Sequence, residues 1–274
     1  MLYFSSLLKS SPQHSLSAEN LFSALSGHGE TFRLFDGAKD IWARDYMPVK
    51  TPSGKYVSFR YEPSYLKNHE QQQTDYCKDV APCFNLPVTR SKINLDGGNV
   101  VFSPSKEKVV MTDRVFPENP AYPAAALLTE LEKLLEAEIL IIPSLKTDMT
   151  GHADGVVRFV DETTMIGNIS PYKTGYEARV KKALSKYDIF VVDFPYFEPA
   201  VKYPAKDGVS SAVGSYLNFL ETEKHIFLPI FNHEQDDAAI KCAKELFNKE
   251  IIPVNINSVA EKGGVLNCIS WETD

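Results

Sequence analysis

The order strand, helix, strand recurs five times along this chain, and that repetition limits the fold more than any other feature. The clearest unit begins at Lys108. Val109-Val110-Met111 is an apolar run, a polar and proline-bearing loop follows, and from Ala124 to Ala137 a helical pattern takes over. Leu127, Leu128, Leu131, Leu134 and Leu135 recur there at helical spacing. Ile139-Leu140-Ile141-Ile142 then closes the unit at Pro143. Thr164-Met165-Ile166, a helix around Glu177–Lys186 and Ile189–Val192 repeat the order. So do His225–Leu228, a helix around Asp236–Asn248 and Ile251–Val254. Two earlier copies carry weaker apolar stripes. One has Leu2-Tyr3-Phe4, a helix near Ala18–Leu25 and a strand over Thr31–Phe35. The other has Tyr56–Tyr61, a polar segment expected to be helical near Asn68–Asp79, and a strand near Pro87–Ile93.

Each second strand is followed by a polar, often glycine-bearing segment and another short apolar run. These segments are Trp42–Pro48, Asn94–Asn99, Gly151–Gly155, Gly214–Phe219 and Gly263–Cys268. If the five units close into a ring, the five segments meet at its axis, whereas an open sheet would scatter them. The expected fold is therefore α/β, a five-bladed pseudo-symmetric propeller, with residues 1–274 as one domain.

Composition narrows the function. The net charge of -7 argues against a general nucleic-acid binder, which needs a basic face, and is compatible with a cationic small molecule. Nothing approaches a membrane-spanning apolar run of ~18 residues, and the first residues do not read as a signal peptide. Cys77, Cys83, Cys242 and Cys268 show neither CxxC pairing nor zinc-type spacing with histidine, so free thiols in a reduced, cytoplasmic setting are expected. There is no phosphate-binding glycine loop. No metal and no organic cofactor are expected. A homodimer is compatible with the chain, and no segment specifies it.

All five axial segments carry candidate chemistry, each with a plainer reading beside it. Cys268 is either a small buried hydrophobe or a nucleophile set by the glycine turn Gly263-Gly264 on a strand-like run. His152 and Asp154 sit two apart; on a strand they would project together, the imidazole able to exchange protons and the carboxylate to bind a cation. A structural His–Asp pair at a turn reads equally well. Asp45 could accept hydrogen bonds from a planar cation stacked on Trp42, or pair with Arg44 at an ordinary strand exit. Arg44 itself reads as structural. Asp96-Gly97-Gly98 is strong turn chemistry, and Asp96 could also orient His152. Ser215–Phe219 alternates like a half-buried strand, with Asn218 offering an amide to a substrate or to the fold. His14, His28, His69 and His233 lie in polar surroundings and are expected to be exposed. Asn168-Ile169-Ser170 matches a glycosylation triplet, which has no meaning without secretion.

Trp-x-Arg-Asp, the Asp-Gly-Gly turn, Gly-His-x-Asp, Ser-Tyr-x-Asn-Phe and a C-terminal Gly-Gly-x-x-x-Cys occur here in order. Together they resemble the agmatine deiminase and bacterial peptidylarginine deiminase family of guanidine-modifying propellers, the pentein fold. The resemblance implies hydrolysis of a guanidinium to a ureido group and ammonia, with a small cationic guanidine such as agmatine as substrate. It implies Cys268 as nucleophile, His152 as acid and base, and Asp96 as its orienting carboxylate. Asp45 and Asp154 would grip the guanidinium, with Trp42 as a wall and Asn218 beside the substrate. The sequence departs from the family pattern at Met47, where glycine is common, and at Asn267, where histidine is frequent. The glycine run is two rather than three, and the chain is shorter than typical agmatine deiminases. Asp96 stands where agmatine enzymes usually carry glutamate, so it must reach His152 with one methylene less. Peptidylarginine or arginine deimination, amidino transfer to an amine, and a silent propeller that only binds a cation are the alternatives. A papain-like amidase has its cysteine before its histidine, and here the order is reversed.

Overall fold

The computed structural model describes residues 1–168, 175–198 and 210–273. Along the chain run β1 (Leu2–Ser5), α1 (Leu7–Ser10), α2 (Ser15–Gly27), β2 (Phe32–Phe35), α3 (Ala43–Tyr46), β3 (Val49–Lys50), β4 (Tyr56–Arg60) and β5 (Val88–Asn94). Next come β6 (Val101–Phe102), β7 (Lys108–Thr112), α4 (Ala124–Leu135), β8 (Glu138–Ile142), β9 (Val157–Phe159), β10 (Thr164–Asn168), α5 (Tyr176–Leu184) and β11 (Phe190–Phe194). The last are β12 (Leu220–Glu221), β13 (His225–Ile230), α6 (Asp236–Leu246), β14 (Glu250–Asn255), α7 (Asn257–Ala260) and β15 (Ser270–Glu272).

These strands make five three-stranded sheets with the same internal order. In the third, β6 pairs antiparallel with β7 (Val101 opposite Val110), and β7 pairs parallel with β8 (Val110 opposite Leu140). The parallel pair needs a crossover, and α4 supplies it. Its stripe Leu127, Leu131, Leu135 is fully buried, as spacing by four requires. Tyr176, Val180 and Leu184 do the same for α5, and Ala18, Leu21 and Leu25 for α2. Two residues from each short strand β3, β6, β9, β12 and β15 line a single cavity of about 500 Å³, which marks the common axis of the five blades.

The ring closes between the chain ends. β15 runs antiparallel to β1, with Trp271 opposite Tyr3, and the backbones of Met1 and Thr273 bond each other in both directions. The first blade is thus assembled from both ends of the chain. The largest apolar cluster joins the fifth blade to the first, through Phe219, Phe227, Ile252 and Leu266 on one side and Phe4, Leu21 and Leu25 on the other.

Several expectations need correcting. The second blade has no α-helix over Asn68–Asp79. It crosses through short 3-10 turns at Ser64–Leu66, Glu70–Gln72 and Ala81–Cys83 and a π turn at Tyr76–Val80. Pro63, Pro82 and a polar run leave no stripe a helix could bury, and Leu66, Tyr76 and Val80 are inserted singly instead. Gly214–Phe219 forms turns ahead of β12, and Gly151–Gly155 is an irregular loop ahead of β9, not a strand. His14 is buried rather than exposed, packed at the start of α2 with its Nδ1 unpartnered. His28 and His233 are exposed and His69 is half-buried. Of the glycosylation triplet, residues 169 and 170 lie outside the described residues.

Candidate active site

The axial segments that follow the second strands converge on one side of the ring. Asp45 lies on α3, Asp96 in the turn after β5, His152 and Asp154 in the loop before β9, and Cys268 in the turn before β15. Cys268 is therefore on a tight turn of residues 266–269 and not on a strand. The turn is anchored by its flanking apolar residues, since Val265, Leu266 and Ile269 are buried, and by its backbone. Cys268 N donates to Asn218 Oδ1 at 3.2 Å, Asn267 N donates to the Asn218 carbonyl at 3.1 Å, and Arg44 N donates to the Cys268 carbonyl at 3.0 Å. Arg44 Nε also reaches the Asn267 carbonyl at 3.4 Å. Asn218 and Arg44 thus hold the cysteine turn from two other elements. Asn218 spends its side-chain oxygen there, and its amide faces the Asp154 carbonyl at 3.5 Å.

Gly98 ties the two carboxylates together. Its N–H donates to Asp45 Oδ1 at 3.0 Å, and its carbonyl accepts from Asp154 N at 3.1 Å. A Cβ there would lie 2.6 Å from His152 Nδ1 and 2.7 Å from Asp45 Oδ1, so any side chain would push those two groups aside. Gly264 has a similar reason: a side chain would run into the Trp42 ring.

His152 is clamped on both nitrogens. Nε2 lies 2.8 Å from Asp96 Oδ2, so the shorter carboxylate does reach, and Nδ1 lies 3.6 Å from Asp45 Oδ1. Asp154 Oδ2 accepts from Asn267 Nδ2 at 2.6 Å and faces the Cys268 thiol at 3.8 Å. Among the described residues, Asp45 Oδ2 and Asp154 Oδ1 receive no protein hydrogen bond. Each carboxylate therefore keeps one oxygen for a ligand. Trp42 and Cys268 are half-buried while the four polar groups around them are buried, which leaves the thiol and the indole as the reachable surface.

The cluster carries more buried carboxylates than cations, and its titration reflects that. Burial pushes the Asp45 carboxyl well above the usual carboxylate range; His152 pulls it back, but Asp96, Asp154 and Asp40 push further up. Burial, Asp154 and Asp45 likewise push the Cys268 thiol well above its ordinary value. Burial alone would lower the His152 imidazolium, but Asp45, the Asp96 hydrogen bond and Asp154 outweigh it and lift it to about 10. The carboxylates outnumber the single imidazolium, and an arriving cation would relieve both raised acids.

Three contributors were not singled out as site residues from the sequence. Asn267 orients Asp154, and nothing marks a lone amide before a cysteine as a partner of residue 154. Asp40 accepts from Trp42 N at 2.9 Å, and burial with Asp96 nearby lifts it to about 7; an Asp two residues before the Trp-x-Arg-Asp motif could have suggested that turn. Tyr65 donates its hydroxyl to Asp96 Oδ2 at 2.9 Å from a loop without periodicity.

The five-bladed fold is shared with solved deiminase structures. Agmatine deiminase of C. jejuni aligns at a TM-score of 0.79 with 18% identity, over 98% of this chain and 92% of that one. Agmatine deiminase of Enterococcus faecalis aligns at 0.69 and 19%, over 84% and 73%. DDAH from Pseudomonas aeruginosa aligns at 0.60 and 9%, over 99% and 98%. A Lactococcus lactis protein provisionally assigned as an agmatine deiminase is 38% identical over 70 residues, a match taking in 25% of this chain and 19% of that relative. The chain belongs to the Porphyromonas-type peptidyl-arginine deiminase family, whose model matches residues 18–273.

Proposed function

We propose that this protein is a cysteine-dependent deiminase that hydrolyses the guanidinium of a small alkylguanidine, agmatine first among them, to a ureido group and ammonia. The observation that carries the reading is the placement of a thiol and an imidazole between two buried carboxylates that each keep an oxygen free. A guanidinium is planar and cationic and offers paired N–H donors, which suits two facing carboxylates. It is also a poor electrophile, so the catalyst must orient it and supply a strong nucleophile.

The cation's arrival between Asp45 and Asp154 offsets the two charges that hold the thiol protonated, and Cys268 releases its proton to solvent and becomes a thiolate. Its sulfur attacks the guanidinium carbon. A C–N bond breaks with its electron pair going to nitrogen, which takes the Nδ1 proton of His152 and leaves as ammonia. His152, now neutral, takes a proton from water at Nδ1 as the hydroxide adds to the thiouronium carbon. The C–S bond then breaks with its pair returning to sulfur, the carbonyl forms as the hydroxyl proton passes to solvent, and the ureido product departs. Asp96 stays on Nε2 throughout and keeps the ring turned.

Preference for agmatine rests on the names of the aligned relatives. The test is ammonia release by the purified protein from agmatine, free arginine and arginyl peptides. Release from agmatine with a ureido product is expected. Release from none of the three, or release only with an added amine acceptor, contradicts the reading.

A further inference from the structure

Tyr65 and the clamp beneath it have no part in the chemistry just described, yet they end on its orienting carboxylate. The Tyr65 hydroxyl donates to Asp96 Oδ2, the same oxygen that His152 Nε2 bonds. The Tyr65 ring stands edge-on to the imidazole, centroids 6.3 Å apart. Its turn, Ser64–Leu66, is bolted down from the third blade. Ser64 N and Oγ both donate to Glu118, at 3.0 and 2.6 Å. Arg114 Nε holds Glu118 at 2.8 Å, Arg114 Nη2 donates to Ser64 Oγ at 2.9 Å, and its guanidinium lies 5.9 Å from the Tyr65 ring centre. An aspartate has little slack with which to follow a moving histidine, and here its bonding oxygen is fixed from a second direction.

We propose that Tyr65 is a positioning residue for the water-activating half of the reaction, acting through Asp96 to keep His152 in register and available as a base. The proposal rests on the deiminase reading above. A hydroxyl shared onto Asp96 Oδ2 withdraws part of the negative charge that His152 feels, and it holds Nε2–H on that oxygen so that Nδ1 faces the reacting centre. In the first half-reaction His152 works protonated, so a stronger pull from Asp96 does little harm. In the second half it must remain neutral long enough to take a proton from water. Without the Tyr65 hydroxyl, Asp96 binds the imidazolium more tightly, the ring recaptures a solvent proton, and hydrolysis of the thiouronium slows.

The test is Tyr65→Phe, which keeps the ring and its packing, assayed beside wild type for ammonia release across pH and for covalent adduct in quenched turnover. With agmatine, kcat should fall by about tenfold while kcat/KM, which ends at ammonia departure, stays within about threefold. KM should fall with kcat, the Cys268 adduct should accumulate, and the acid limb of kcat should move to higher pH. Glu118→Gln, which loosens the clamp without touching Asp96, should move each readout the same way by less. Equal losses in kcat and kcat/KM with an unmoved pH profile mean a merely structural role and overturn the proposal, as does full activity in Tyr65→Phe. Wild type releasing no ammonia from any guanidine sinks the deiminase reading itself, a separate result.

Discussion

Replacing Gly98 by alanine perturbs the site by one methyl group whose cost can be worked out. The new Cβ would lie 2.6 Å from His152 Nδ1 and 2.7 Å from Asp45 Oδ1. Relaxed contacts begin near ~3.5 Å, so one or both groups must retreat by about 0.8 Å. The Gly98 backbone is not in the left-handed region, so alanine adds crowding without backbone strain. Overpacking of this kind costs about 1–3 kcal/mol of folding stability, which a chain of this size survives. The reaction is less forgiving. A displacement of roughly 1 Å among reacting groups costs about 100-fold, or about 3 kcal/mol of barrier. The assay is kcat/KM for ammonia release from agmatine, with circular dichroism and a thermal melt to show the variant folded. Gly155→Ala is the control from the loop next to Asp154, since nothing lies within 4 Å of its added Cβ. The expected result is a folded Gly98→Ala with about 100-fold lower kcat/KM and a Gly155→Ala close to wild type. A folded Gly98→Ala within about threefold of wild type would refute the claim that His152 and Asp45 work from the positions seen here.

Further outcomes follow from the same electrostatics. Asp96→Asn removes a charge and an acceptor that hold His152 protonated, so the alkaline limb of the rate profile should move down from about 10; an unmoved limb argues against the pairing. The proposed grip on a guanidinium needs Asp45 ionised, and burial with neighbouring carboxylates raises its carboxyl. The sign is therefore a tightening of Kd as pH rises through the Asp45 transition, with protons released on binding. Calorimetry on Cys268→Ser in two buffers of different ionisation enthalpy measures it, and a pH-independent Kd contradicts it. Since the free thiol is raised by burial and two carboxylates, a cationic halo-amidine should alkylate Cys268 at least about tenfold faster than a neutral haloacetamide of similar reactivity. Exposed Cys83 should show no such preference, and equal rates at Cys268 would exclude substrate-assisted activation.

Much of this architecture could be read in the chain because the blades repeat. The Leu127, Leu131, Leu135 stripe and the flanking runs Val109–Met111 and Ile139–Ile142 announce one blade, and its register locates the axial segment of every other. That register, rather than any single motif, places Asp45, Asp96, His152, Asp154 and Cys268 near one another. The misses have physical causes. The second blade has no stripe to read, because its crossover buries Leu66, Tyr76 and Val80 one at a time between prolines. Residues 265–269 resemble a strand because all but two are apolar, but those side chains are buried on several sides of a turn at a crowded axis. His14 sits in a polar sequence, yet at the start of α2 it is buried. Tyr65 and Asn267 act across 31 and 113 residues of chain, a distance over which local pattern carries no information.

In the proposed mechanism the Cys268 Sγ attacks the substrate. The direct measurement is ammonia release by purified, folded Cys268→Ala at saturating agmatine, set against wild type at the same pH. The account predicts ammonia at the background rate, with guanidinium binding retained because Asp45, Asp154 and Trp42 are untouched. Turnover within about tenfold of wild type would place the nucleophile elsewhere and overturn the mechanism.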